Sequence, residues 1–231
     1  QRQMCIRDRD DVNAPFVDAN GQTNGKTNGE VYKVKPGNSK YVDVNKDGVY
    51  NDADQGIIGC GQPTFNWGWN NTFNYKNFDF SFFVVGFHGF DIYNATHQMG
   101  YNLIKSQQMA GVTPMRELLN RWTPTNTNTD IPGFVKGGTE NKDFFSTRFV
   151  ENGSFIKMKS ITLGYTLPEA TCRSLGINNL RVYASVQNPF HITKYSGLDP
   201  EATMGSPLVQ GVDWGAYPNS RNYLIGLNFS F

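Results

Sequence analysis

The residues best spaced for chemistry lie between positions 43 and 54. Asp43, Asn45 and Asp47 place side-chain oxygens at the first, third and fifth positions of a calcium-type loop, and Gly48 permits the sharp turn at the sixth. Val49 offers its carbonyl at the seventh, Asn51 sits at the ninth and Asp54 occupies the twelfth. Oxygen donors at this spacing suit a hard cation, and Ca²⁺ is the cofactor they predict. Asp54 is shorter than the bidentate Glu of the strongest loops, and no helix signature flanks the segment, so the expected binding is weak.

No catalytic set accompanies this loop. His88, His97 and His191 are scattered and lack a partner at metal or general-base spacing. Neither a nucleophile elbow nor a pair of carboxylates at acid–base spacing appears, so an enzyme is not expected. Cys60 and Cys172, with Cys5 near the start, form neither a disulfide framework nor a metal set. Four loop aromatics remain as candidate ligand contacts, because flat ring faces stack on sugars or peptide side chains: Trp122, Tyr195, Trp214 and Tyr217.

The elements that would position these residues are strands. Charged residues are 18% and aromatics 14% of the 231, with Gly and Asn recurring, a mixture that favours short strands and turns over helices. The net charge of +1 gives no reason to expect nucleic acid as a partner. No apolar run approaches the roughly 18 residues of a spanning helix, which says nothing against strands that cross with every second residue apolar.

Five segments alternate with period two. In 63–76, Phe65, Trp67, Trp69, Phe73 and Tyr75 share a face opposite Asn66, Gly68, Asn70, Thr72 and Asn74. The two residues Lys76 and Asn77 then predict a tight hairpin into a strand carrying Phe78, Phe80, Phe82 and Val84. A third strand over 155–167 has Ile156 and Met158 out of phase with Ile161, Leu163 and Tyr165, which predicts a bulge near Ser160. Leu180, Val182, Ala184 and Val186 alternate in the fourth, and Tyr223, Ile225, Leu227, Phe229 and Phe231 in the fifth. Between the second and third strands, Thr113-Pro114 followed by Met115, Leu118, Leu119 and Trp122 predicts a short amphipathic helix in a long loop, with weaker helical character over 91–109.

The apolar faces end in aromatic residues, and short links (76–77, 168–179) alternate with long ones, as in barrels with short periplasmic turns and long outer loops. With the C-terminus periplasmic, both short links fall on that side. Five strands cannot close, because the smallest membrane barrels have about eight, and an open edge is not tolerated in lipid. The expected fold is therefore all-β: the C-terminal strands of a large antiparallel transmembrane β-barrel, with outer loops carrying one or two short helices. The competing fold is a secreted β-sandwich binding module stabilised by calcium, soluble by itself. A dockerin-like protein would need a second Asp/Asn-rich loop.

Several stretches resemble the closing third of SusC/RagA-family TonB-dependent transporters: YVDVNKDGVYNDADQGIIG, RWTP, STRFVENGSFIKMKSITLGYTLP, QNPFHITKYSGLDPE and YPNSRNYLIGLNFSF. The resemblance spans nearly everything from Tyr41 onward. It implies a barrel of about 22 strands with a plug, set in the outer membrane of Bacteroidota-like bacteria and importing oligosaccharides or peptides. It also implies a SusD-like surface lipoprotein and energy from the TonB complex. Phe231 then matches the terminal aromatic read by the outer-membrane assembly machinery. On this reading residues 1–9, which share no composition with the rest, are extraneous; 10–62 are an extracellular loop region; and 63–231 are barrel.

Overall fold

A computed structural model of the chain describes residues 3–6, 13–32, 34–49, 52–101, 115–133, 146–174, 176–202 and 210–230. The chain divides into two units, one of Gln1–Gly59 with Tyr93–Val150 and the other of Cys60–Ile92 with Glu151–Phe231.

The second unit is an antiparallel meander of β1 (Phe65–Tyr75), β2 (Phe78–His88), β3 (Phe155–Thr166), β4 (Asn179–Gln187) and β5 (Asn222–Ser230). Each strand pairs with the next in sequence, so the spatial order is the chain order. The hairpin predicted at Lys76-Asn77 is present: Tyr75 pairs with Phe78, and Lys76 takes φ 51°. The turn is tied to β3, because the Asn77 side-chain amide donates to the Thr166 carbonyl at 2.7 Å and the Thr166 N–H donates back to the Asn77 carbonyl at 2.8 Å. The second short link holds a helix, Glu169–Ser174, which buries Cys172 and closes at Gly176 in the left-handed region.

The predicted bulge is one residue from its expected centre. Phe83 pairs with Ser160 and Val84 with Met158, which leaves Lys159 without a partner on β2. That extra residue returns the two halves of β3 to one phase. Paired residues share a face of the sheet, and the register yields rows that cross all the strands, such as Trp69, Val84 and Met158, or Phe82, Ile161, Val186 and Tyr223. A single, largely apolar face results, with Asn71, paired to Phe82, as its polar member at mid-strand. Tyr75, Phe78, Tyr165 and Phe229 lie at its short-link end and Phe65, Trp67 and Tyr223 at the other, with Phe78 and Tyr165 4.6 Å apart between ring centroids.

The opposite face is mainly polar: Asn66, Asn70, Thr72, Asn74, Asp79, Ser81, Thr162, Arg181, Ser185, Asn222 and Asn228, with Phe83, Val85, Tyr183 and Leu224 as larger members along it and Phe87 and Phe155 at its long-link end. Asp79 and Arg181 form a two-pronged ion pair at 2.9 and 2.5 Å. The pair crosses β3 above Gly164, where a Cβ would strike both the carboxylate and the guanidinium. On the apolar face the Trp67 ring fills the space above Gly86.

The β-sandwich alternative required the apolar face to be covered, and it is not. No side chain on that face is buried, and Ile225 is 86% exposed, Tyr223 75% and Phe229 63%. What core this unit has lies at the long-link end of the sheet, where Phe87 of β2 stacks on Phe155 of β3 at 5.1 Å and Phe90, Ile92 and Tyr195 complete the cluster.

The first unit is short elements joined by loops. The strands Pro15–Val17 and Thr23–Thr27 pair and lead into the helix Asn28–Tyr32 through a reciprocal cap between Thr27 and Glu30. Gln3–Ile6, inside the segment expected to be extraneous, pairs with Ser39–Tyr41. The helix predicted after Thr113-Pro114 is instead a 3₁₀ turn over Arg116–Asn120, with 113–114 outside the described residues. Of its expected apolar stripe Leu118 is buried, whereas Leu119 is 79% exposed. The turn ends before Trp122 with no side-chain cap at Met115, so no continuous helical face forms. Within 91–109, Asp91–Asn94 is a strand, Ala95–Tyr101 is a helix, and 102–109 lie outside the described residues.

Replacing Gly164 by Val places a branched side chain under the Asp79–Arg181 pair and is expected to separate it. For the complete protein in detergent, we expect a destabilisation of roughly 1–3 kcal/mol, the range for overpacking and for hydrogen bonds between charged groups. Heat-modifiability on gels measures it, and Gly164→Ala should cost less.

Candidate functional site

Above the bulge in β3 the sheet meets the loop segment that follows β4. Lys157 lies on the polar face, opposite Val85, and is 2% exposed. A lysine there needs counter-charge, since an unpaired buried ammonium is strongly disfavoured. Two carboxylates supply it: Asp199 accepts from Nζ at 2.9 Å and Glu201 at 2.7 Å. Lys159, the bulged residue, reaches the other oxygen of Glu201. Asn219 closes the cluster, its backbone N–H and side-chain amide donating to Asp199 at 3.1 and 3.2 Å and the same amide donating to Glu201 at 3.0 Å. Burial alone would push both carboxyls up. The hydrogen bonds from the two lysines, with backbone donors at Asp199, outweigh it and hold both below the usual carboxylate range.

A second tie lies close by in sequence. Tyr195, 6% exposed, donates its hydroxyl to Asp213 Oδ2 at 2.5 Å. Burial first, and then this bond to a carboxylate, push its phenol well above the ordinary value. The other Asp213 oxygen accepts from the N–H groups of Gly215 at 2.8 Å and Ala216 at 3.1 Å, which shapes the turn bearing Trp214 and Tyr217. Between β4 and this region, His191–Thr193 pairs again with β3, and Asn188 at φ 51° absorbs the irregularity.

The four loop aromatics separate. Trp214 is half exposed and Tyr217 is 90% exposed. Tyr195 corrects the sequence expectation: its ring belongs to the apolar cluster and its hydroxyl is used internally, so it has no free face for a ligand. Trp122, in the first unit, packs over Gly37 and Gly133 and is partly buried.

The calcium-type loop folds on its own amides. Asp43 accepts from the N–H groups of Asp47 at 3.3 Å and Gly48 at 2.8 Å, Asn45 from Asp47 at 3.0 Å, and Asp47 from Val49 at 2.8 Å. Asp54 accepts from Val44 at 2.8 Å, which brings the loop's twelfth residue back over its second. Asn51 lies outside the described residues. Among the described residues, no three His, Cys, Asp or Glu side chains form a metal-holding group. Phe231 also lies outside the described residues.

One contact was missed by spacing. His97 Nε2 lies 3.3 Å from Glu117, which also accepts from the Tyr101 hydroxyl at 2.7 Å. Those two bonds hold the Glu117 carboxyl below its usual range, while burial raises the Tyr101 phenol to about 12. Glu117 is 20 residues from His97 on a separate turn, a separation that no local pattern reveals.

Removing the Lys157 ammonium leaves two carboxylates facing each other, one of them fully buried. In the complete protein we expect Lys157→Met to cost about 3–5 kcal/mol, as for breaking a buried pair from one side. Lys159→Met, at a partly exposed position, should cost no more than about 1 kcal/mol. Denaturant unfolding followed by loss of gel mobility shift separates the two.

Comparison with known proteins completes the site's context. No family model matches the chain. TonB-dependent receptor P3 of Formosa agariphila is 36% identical over 202 residues, which are 85% of this chain and 19% of that protein. TonB-dependent receptor SusC of Bacteroides thetaiotaomicron is 32% identical over 199 residues, 85% of this chain and 18% of its own length. Among solved structures, a chain of the RagAB peptide transporter matches with a TM-score of 0.68 and 26% identity, over 87% of this chain and 21% of that one. The chain thus spans about a fifth of the length of its relatives. With this identity across most of its residues and a sheet that shares the transporter's fold, the chain belongs to the SusC/RagA family of TonB-dependent receptors.

Proposed function

We propose that this chain is part of a TonB-dependent transporter of the outer membrane that imports oligosaccharides or peptides, working with a SusD-like surface lipoprotein and driven through the TonB complex. The observation that carries the proposal is the two-sided sheet. One face is apolar but for Asn71 at mid-strand, rimmed by aromatics and uncovered, and the reverse is lined mainly by amides and hydroxyls. A strand that meets hydrocarbon on one side and a wet lumen on the other needs this composition. Relatives described as TonB-dependent receptors and as a peptide transporter support the same reading. The short-link end is then periplasmic and the Lys157 end extracellular.

The test uses single cysteines in the complete transporter, in host cells. Leu163→Cys, on the apolar face, should react with a membrane-soluble maleimide and resist a charged one, and Thr162→Cys, on the polar face, should react with the charged reagent. Equal reaction of both sites with the charged reagent would refute the membrane placement. Deleting the gene should abolish growth on at least one member of a panel of oligosaccharides and peptides given as sole carbon source. Normal growth across the panel would count against import.

The 43–54 loop enters this proposal as a weak Ca²⁺ site on the outer side, supported by its ligand spacing and by the return of Asp54 to the loop's start. Titration of the complete protein with millimolar Ca²⁺ should release or absorb heat, and Asp43→Ala with Asp47→Ala should abolish the signal. No heat from the unaltered protein would end the assignment.

A further inference from the structure

The segment 213–219 is held at one end by a buried polar tie and at the other by a part-buried one, and its exposed rings lie between them. At one end Asp213 receives the Tyr195 hydroxyl at 2.5 Å and caps the N–H groups of Gly215 and Ala216. At the other, Asn219 donates to Asp199 and Glu201, both fastened to Lys157 on β3. Asp213 and Ala216 are buried within this span, whereas Trp214 is 47% and Tyr217 90% exposed. Five loop residues commit their polar groups to holding two large rings in water.

We propose that Lys157 and Tyr195 are positioning residues that preorganise Trp214 and Tyr217 as a rigid display for a flat, uncharged ring. Holding the rings in place beforehand removes the ordering cost that a mobile loop would pay on binding. Tyr195 acts through Asp213 on the turn before Tyr217, and Lys157 acts through Asp199 and Glu201 on Asn219 after it. The carboxylates and lysines of the cluster satisfy one another, and the buried Asp213 carboxylate is turned inward to the Tyr195 hydroxyl and the Gly215 and Ala216 N–H groups. The two ring faces are thus what the segment presents, which suits a ring face over an ion. The proposal rests on the import reading only for the use made of the two rings. The restraint itself is independent of transport.

The experiment places a nitroxide spin label at Tyr217→Cys in the complete transporter in detergent, with Cys60→Ser and other reactive thiols blocked. A control label sits at Lys76→Cys, in the hairpin at the opposite end of the sheet. The expected spectrum at position 217 is dominated by a slow component. Tyr195→Phe and Lys157→Met should each add a fast component at 217 and leave position 76 unchanged, and Lys157→Arg should restore the slow spectrum. Assembly is checked by heat-modifiability. Should Lys157→Met fail to assemble, Tyr195→Phe, which removes a single hydroxyl, decides the matter. A fast spectrum at 217 in the unaltered protein, or no change in Tyr195→Phe, overturns the proposal. Labelling reads motion whether or not import is detected, so failure of this inference and failure of the import reading are distinguishable.

Discussion

Backbone hydrogen bonding in an apolar surround governs this chain. An N–H or C=O without a partner in hydrocarbon costs several kcal/mol, so a strand that meets lipid must be paired along its length and its side chains must alternate without error. The five-strand register meets the first demand and nearly meets the second, with Asn71 on the apolar face and Phe83, Val85 and Leu224 on the polar one as its exceptions. β1 pairs with β2 at every position from Phe65 to Tyr75, and β4 with β5 at every position from Asn179 to Gln187. Pairing by consecutive neighbours keeps the two faces distinct across the whole sheet, because one slipped residue would turn a row of Phe, Leu and Tyr toward the polar side.

β3 is where alternation and pairing conflict, and the bulge resolves it. With Lys159 set aside, Met158 and Ile161 point the same way although an odd number of steps separates them. The same insertion brings Lys159 to Glu201, beside the Lys157 carboxylates. One irregularity thus serves both the apolar face below it and the loop above it. Glycines act similarly on a smaller scale: Gly164 leaves room for Asp79 to reach Arg181 across a strand, and Gly86 accepts the Trp67 ring.

The strands, the two-residue hairpin and the need for a bulge were legible because each rests on neighbours within about a dozen residues. Period two over 65–75 or 222–230 is a local property, as is a break in phase between Met158 and Ile161. The loop side was not legible. Lys157 finds its carboxylates 42 and 44 residues away, and nothing in FIKMKSITL marks its first lysine as buried. Tyr195 read as an available aromatic because its sequence context, ITKYSG, is polar, yet the core of Phe87, Phe90 and Phe155 takes its ring. The helix expected from Leu118, Leu119 and Trp122 failed for a related reason: a stripe of three apolar residues makes a helix only when a surface covers it, and Leu119 has none.

The edges of the sheet carry the last step. Among the described residues, β1 and β5 each pair with a strand on one side only and form the two edges of the sheet. Their apolar residues are among the most exposed on the face, Tyr75 at 71% and Ile225 at 86%. In water such edges invite association with another chain, and in lipid they are not viable. An apolar face that excludes water and two edges that cannot lie bare in hydrocarbon require further strands on both sides, from the same polypeptide or another. A barrel provides them by closing on itself, and relatives about five times the length of this chain have the residues to build one.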